Sequence, residues 1–451
     1  FSVNIGGEDR LADANLFDGN LGAGMAFTLV DKAVGTFNVQ NNTVINMVDD
    51  NDTSTNYVGD AIHAELVGLA LGFEAINRLE GAIVENNSLG TDGYTELTSA
   101  INSTQATITV TDSDRFEALS VPFNIQVGRE VMTVTGITGA NLDVIRGVGT
   151  SPNEEHVGGD TVFATTGGNQ GRGFSLLIEE DSTLQDLLFR NNTVVNNGDD
   201  GFKLRREDEG RLNLVASGAL QRRAVSIRDN TIIGNASNAP SEPISPNAAE
   251  RRGAGIDIHA LNGSVDLQDL EIVGNVIEAN VGPNTSGVLL RAEADARILA
   301  DIEDNRIRYN SADGIELSTR QNDGTDVRQV GGTWVKNTIT DNGDHGIQII
   351  GRHGLFDVIT ELVNTVGAEP VETPLFIGIE GVDPADGQDR GNTIESNGLD
   401  GMTVNAEGAI SFANNSVKDN GTGGIDISPN GPQPLSLIHI SEPTRRTPRA
   451  Y

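Results

Sequence analysis

One phrase recurs along most of this chain: Asn, any residue, Ile or Val, two further residues, Asn, then a gap and a Gly followed by alternating aliphatic and polar residues. It reads Asn192-Thr193-Val194 to Asn197 with Gly201-Phe202-Lys203-Leu204, and Asn230 to Asn235 with Gly255-Ile256-Asp257-Ile258. It returns at Asn275 to Asn280 with Gly287-Val288-Leu289-Leu290, at Asn305 to Asn310 with Gly314-Ile315-Glu316-Leu317, and at Asn337 to Asn342 with Gly346-Ile347-Gln348-Ile349. The last copies are Asn392 to Asn397 with Gly401-Met402-Thr403-Val404 and Asn415 to Asn420 with Gly424-Ile425-Asp426-Ile427. A repeat of this kind fixes architecture before any local reading does.

Within each copy the aliphatic residues alternate, the period of a strand with one face buried. Phe202 and Leu204 share one face; Lys203 and Arg205 share the other. The first Asn of each copy lies on the face of the aliphatic residue two positions later, so it points inward at a turn. There it can pass amide hydrogen bonds to its equivalents in the next copy. Asn and Gly also tolerate the left-handed backbone of sharp corners. Gly401 and Gly424 are 23 residues apart, room for about three strands of roughly five residues with their turns. Wider spacings, such as Asn337 to Asn392, leave space for loops or a further irregular coil.

Three short strands per turn, each stacked on its equivalent, describe a parallel β-solenoid. The repeat resembles that of the right-handed parallel β-helix proteins, the pectate-lyase-like superfamily. The resemblance covers roughly residues 168–434 and returns more faintly over 37–90, for example at Asn42-Thr43-Val44 and Ala61-Ile62-His63-Ala64. It implies an all-β fold and says little about a reaction.

The composition suits that fold. Aromatic residues are 4% and hydrophobic residues 37%, too little for a large globular core but enough for a narrow one of stacked Ile, Val and Leu. A solenoid grows by adding coils, so 451 residues do not force a division into globular domains. The formal net charge of −35 disfavours nucleic acid and anionic membranes as partners. It suits an extracellular or cell-surface protein able to bind calcium; a polysaccharide or cell-surface glycan is the partner suggested by the outward wall described below. There is no cysteine, which excludes disulfides and thiol catalysis. No stretch has the apolar length of a membrane span.

Two segments follow a different grammar. Over 101–166 the Asn repeat gives way to short strands with Gly turns: Thr107-Ile108-Thr109-Val110, Phe123 to Val127, Glu130 to Gly136, Leu142 to Gly147 and His156 to Val162. Gly128-Arg129-Glu130-Val131-Met132-Thr133-Val134-Thr135-Gly136 and Arg146-Gly147 resemble a small β module of virion and bacterial surface proteins. The resemblance implies no catalysis, and the expectation is a spacer or decoration projecting from the solenoid. The organisation expected is therefore N-terminal coils over 1–100, an inserted module over 101–166, the main β-helix over 167–434, and a foreign tail over 435–451. The tail run from Leu435 to Arg445 resembles a translated sequencing adapter, and the chain reads as an internal piece of a longer protein.

Stacking places equivalent residues about 4.8 Å apart, so the outward positions after each repeat Gly form a wall. Its first four coils carry Lys203, Arg205, Asp257, His259, Arg291 and Glu316. Arg grips carboxylates and sulfates in a bidentate way, so the column Arg205, His259 and Arg291 could meet a linear acidic polysaccharide. A solvated face whose charges pair across coils is the simpler expectation.

Gly198-Asp199-Asp200-Gly201 resembles the Gly-Asp-Asp catalytic segment of the polygalacturonase-like branch. The accompanying motifs depart from that pattern: Asp344-His345-Gly346 lacks the first Gly and lies four repeats beyond Gly201, roughly 19 Å along the axis. Arg306-Ile307-Arg308 differs at its last residue and precedes the His. Asp199 and Asp200 then read as a turn into the repeat Gly. A lyase or epimerase needs a base, an acid and a cation near a uronate C5, and His259, Arg205 and Arg291 are the best local set. Calcium is the one cofactor suggested, at Asp383, Asp386 and Asp389, although neither that loop nor Asp49 to Asp52 has EF-hand spacing. The first expectation is a noncatalytic, exported bacterial β-helix serving as a stalk or glycan-binding wall. The second is a polysaccharide lyase or epimerase acting on an acidic, uronate-containing polymer.

Overall fold

The computed structural model describes residues 2–7, 14–30, 33–48, 59–67, 78–91, 93–149, 151–179, 182–206, 211–212, 225–237, 253–260, 266–293, 296–320, 329–351, 375–377, 390–405, 409–412, 414–427 and 436–440. Apart from one 3-10 turn, Asp114–Phe116, the regular structure among them is strand. Three parallel sheets run the length of a right-handed β-helix, the hand that strand twist gives parallel crossovers. One coil shows the order. Leu187–Arg190 lies in the first sheet, Thr193–Val195 in a second sheet of three-residue strands, and Phe202–Arg206 in the third. Val225–Arg228 then pairs in parallel with Leu187–Arg190 and begins the next coil.

The two corners of each coil explain both asparagines of the repeat. The first forms an internal ladder from Asn15 through Asn42, Asn87, Asn192, Asn230, Asn275, Asn305, Asn337 and Asn392 to Asn415. Each Nδ2 donates to the Oδ1 of the next at 2.8–3.2 Å. The last Asn of the phrase forms a second ladder, from Asn169 through Asn197, Asn235, Asn280, Asn310, Asn342 and Asn397 to Asn420, at 2.8–3.1 Å. The residue just before many ladder members, such as Asn191, Asn196, Asp304 and Tyr309, has a left-handed backbone, which turns the chain through the corner. The unbroken bond from Asn337 to Asn392 shows that this 55-residue spacing is a single coil.

The repeat Gly is a matter of space. A Cβ on Gly255 would stand 2.7 Å from both the Gly287 carbonyl oxygen and Ile277 Cγ2, and 2.8 Å from Asn280 Nδ2. Inside the coil run columns of Ile, Val and Leu, with a Phe174, Phe189 and Phe202 cluster and the buried Trp334.

The segment from Tyr94 to Ala164 leaves this pattern and forms an antiparallel sheet, beginning with Tyr94–Glu96, before residue 101. Its strand order is Thr107–Thr109, Asn141–Ile145, Glu130–Thr138, Phe123–Val127, Thr161–Ala164 and Tyr94–Glu96. The ends meet through Leu97 and Val110, where Thr98 N donates to Thr109 O and Thr111 N to Glu96 O. The sheet is thus a small closed barrel around Ile108, Phe116, Ile125, Met132, Val134 and Val162. Inside it, the Glu130 carboxylate accepts from Arg146 Nε and Nη2, each at 2.6 Å, and from the amides of Gly147 and Glu154. The Glu and Arg of the motif are partners.

The expectation of a projecting module is corrected. The barrel folds back onto the sheet of short strands, where Phe163 packs with Val195, Ile233 and Ala279. Asp160 meets Arg308 at 2.9 Å, and Glu278 accepts from Arg308 Nε at 2.7 Å and Thr161 Oγ1 at 3.1 Å. Val195 and Ile233 point out of the solenoid and are apolar, so leaving them in water would waste burial that the barrel supplies. Ser436–Ile440 pairs in parallel with Ala409–Phe412. That pairing is made by backbone groups, which carry no record of where a segment came from.

Candidate functional site

The third sheet builds a charged face whose members are largely buried. Its outward positions stack in register: His63, Ser175, Lys203, Asp257, Leu289, Glu316, Gln348, Thr403 and Asp426. A neighbouring column holds Glu65, Leu177, Arg205, His259, Arg291, Ser318, Ile350 and Asn405. A third column, at or just before the repeat Gly, holds Asp60, Arg172, Asp200, Ala254 and, further on, Asp313, His345 and Asp400; their carbonyls accept from amides of the adjoining coils.

The wall residues alternate with core residues Leu204, Ile258 and Leu290, so they face away from the core. They do not stand in solvent. Lys203, Asp257, His259, Arg291 and Glu316 are all buried, and Arg205 is half-buried. The sequence pointed to a solvated wall; the structure shows a network of charges one coil apart, close enough to neutralise one another and be desolvated together.

Lys203 Nζ lies 3.0 Å from Asp200 Oδ2 and 3.1 Å from Asp257 Oδ2. Arg291 Nε donates to Asp257 Oδ1 at 3.3 Å and its Nη2 to Oδ2. Arg172 Nε is 3.2 Å from Asp199 and its Nη1 is 3.6 Å from Asp60, which also receives the Arg172 amide and stands 3.1 Å from His63 Nδ1. His259 Nε2 is 3.3 Å from Glu293, and Ser286 donates to Glu316 at 3.0 Å.

The reading of Asp199 and Asp200 as a plain turn is corrected in part. Asp199 is half-buried, but Asp200 is buried, accepts the Ala254 amide at 2.7 Å and belongs to the network. His345 and Arg308 do not join them: His345 lies four coils along the same face, and Arg308 holds the barrel.

The charges are strongly conditioned. Burial pushes the Asp257 carboxyl up, but Arg291 and then Lys203 outweigh it and hold it well below the usual carboxylate range. Burial, with Asp199 and Asp257 nearby, pushes Asp200 up to about 7. Burial works against the charge on Lys203, yet Asp200 and Asp257 keep its pKa above the ordinary value. Burial, helped by Arg291, lowers His259. Asp383, Asp386, Asp389 and Asp49 to Asp52 lie outside the described residues. Among the described residues no His, Asp and Glu cluster has the arrangement of a metal site.

No protein-family model matches the chain, and no curated protein matches it in sequence. Among solved structures it is similar to the tailspike gp61 of Pseudomonas phage phi297, at 11% identity over 88% of this chain and 66% of that one, with a TM-score of 0.20. A second is the Gp54 tailspike of Acinetobacter baumannii bacteriophage AP22, solved with A. baumannii capsular saccharide, at 11% identity over 88% and 70%, with a TM-score of 0.19. A third is XylC solved with xylose, at 10% identity over 88% and 81%, with a TM-score of 0.17. The chain spans 66% of the length of the phi297 tailspike. These superpositions are loose, and the fold rests on the strand pairing described above.

Proposed function

We propose that the chain is a noncatalytic β-helical scaffold of an exported or surface-displayed bacterial protein, and that its charged face binds polysaccharide through hydrogen bonds. The observation that carries this is the saturation of the face. Lys203 is shared by Asp200 and Asp257, Arg291 grips Asp257, and Arg172 serves Asp60 and Asp199. Cations spent on protein carboxylates are poor clamps for a polyanion, and the net charge of −35 repels one. The partly exposed rim of Arg172, Asp199, His345, Gln348 and Asp400 offers donors and acceptors at coil spacing, which suits hydroxyl-rich sugars. The test is retention of purified protein by a panel of immobilised neutral and acidic polysaccharides, with the eluted polymer sized. Retention without shortening of the polymer supports the proposal; failure to bind any of the panel removes the binding part.

A lyase or epimerase is the second reading, favoured by one observation: His259 is held toward its neutral form beside Arg291, a base and a cation in adjacent coils. If uronate polymers are cleaved or epimerised by the wild type and equally by His259→Ala, that site is wrong.

A further inference from the structure

The most self-contained device on this face is at its far end. Asp313, His345 and Asp400 occupy one position, just before the repeat Gly, in three successive coils. His345 Nδ1 stands 3.0 Å from Asp313 Oδ1 on one side, and its Nε2 stands 3.6 Å from Asp400 Oδ2 on the other. The His345 amide also donates to Asp313 Oδ1 at 2.9 Å. Asp400 is tied onward by Thr422 Oγ1 at 2.7 Å. The side-chain amide nitrogen of Gln348 lies 3.2 Å from the same Nδ1.

Two partners compete for that nitrogen. A neutral Nδ1 can accept from the Gln348 amide. A protonated Nδ1 cannot; it donates to Asp313, while Nε2–H faces Asp400, and the imidazolium then joins three coils. We propose that His345 is a protonation-dependent clamp that ties the coil of Asp313 to the coil of Asp400 across a wide repeat spacing, 55 residues between the ladder asparagines Asn337 and Asn392.

The charged groups that face the ring among the described residues are Asp313, Asp400 and Asp344, all acidic. The hydrogen bond to Asp313 comes first in raising the pKa of His345, and burial opposes it only in part. The sign follows. A histidine raised in the folded state contributes stability that is complete below its unfolded value of about 6.5 and is lost as pH rises through the folded value. The coils after Asn337 are therefore held more firmly in mildly acidic than in alkaline solution. This inference does not depend on the face binding sugar.

The experiment is an NMR titration of the six imidazoles, with His345 assigned by its loss in His345→Gln, alongside hydrogen-exchange protection factors for residues 400–405 and 423–427. The expected results are a midpoint above that of free histidine, a downward shift of it in Asp313→Asn, and protection that falls with rising pH in the wild type but not in His345→Gln. A midpoint at or below that of free histidine in the wild-type protein overturns the clamp, whatever the variants do. So does an equal fall in protection with pH in wild type and His345→Gln.

Discussion

Arg291 reaches back one coil and holds Asp257 with two guanidinium nitrogens, Nε at 3.3 Å from Oδ1 and Nη2 against Oδ2. Both side chains are buried, so neither charge has water to fall back on. The same carboxylate also serves Lys203.

Removing Asp257 therefore leaves two cations with one partner fewer. Asp257→Ala is expected to cost about 3–5 kcal/mol, the usual penalty for breaking a buried ion pair from one side. Replacing both partners by apolar residues, Asp257→Leu with Arg291→Met, is expected to cost less than Asp257→Ala alone. Thermal or denaturant unfolding measures both. Equal losses would mean that the pair is not interdependent.

The ladders make a second claim about energy. Asn275 donates to Asn305 Oδ1 and Ile227 O and accepts from the amide and side chain of Asn230. Asn275→Ala leaves these groups buried and unmatched, at about 1–3 kcal/mol for each group stranded. Asn→Ala at the exposed Asn141 of the barrel is expected to change stability by less than about 1 kcal/mol. A similar loss at both positions would argue against the ladder.

Docking of the barrel is tested at Arg308, a cation shared by Asp160 of the barrel and Glu278 of the solenoid. Arg308→Met keeps the bulk and removes the charge. It is expected to open the interface, read as faster proteolytic cutting between 165 and 173 with the barrel's own core intact. Gly234→Ala does the same by steric means, since its Cβ would sit 2.3 Å from the Phe163 ring. Unchanged cutting in both variants would mean the contact contributes little.

Acid sensitivity follows from the carboxylates. In Glu130, Asp160 and Asp257, burial is outweighed by cations and hydrogen bonds, chiefly Arg146, His156 and Arg291, so their pKa values fall below ordinary values of 4.5, 3.8 and 3.8. Depressed carboxylates contribute stability that is present above those ordinary values and is lost as pH falls through the lower, folded ones. Asp200 works the other way: raised to about 7, it removes stability as pH climbs from about 4 toward 7. Unfolding midpoints against pH should fall steeply in acid. Asp200→Asn should flatten the decline between about pH 4 and 7.

Much of the coil was legible in the sequence because period, inward Asn and cramped Gly are local facts repeated many times. The second ladder was written there too, in the last Asn of each phrase. The docking patch left a fainter signal. Val195 and Ile233 stand where later coils have Thr340, Glu395 and Lys418, and an outward aliphatic pair in a polar column marks covered surface. The alignment of Lys203 with Asp257 and of His259 with Arg291 followed from counting residues. Their burial did not, because it follows from how closely charged partners in the same and adjoining coils pack, Asp200 and Asp257 on Lys203 and Arg291 on Asp257. The Glu130 to Arg146 pair lay inside the recognised motif but needed the barrel to bring its ends together.

The most direct measurement is polysaccharide binding at low and at high salt, with the polymer sized before and after. A face whose cations are already spent should bind neutral polymers with little salt dependence and leave their length unchanged. Binding restricted to acidic polymers and abolished by salt, or shortening of any polymer, would contradict a saturated, noncatalytic face.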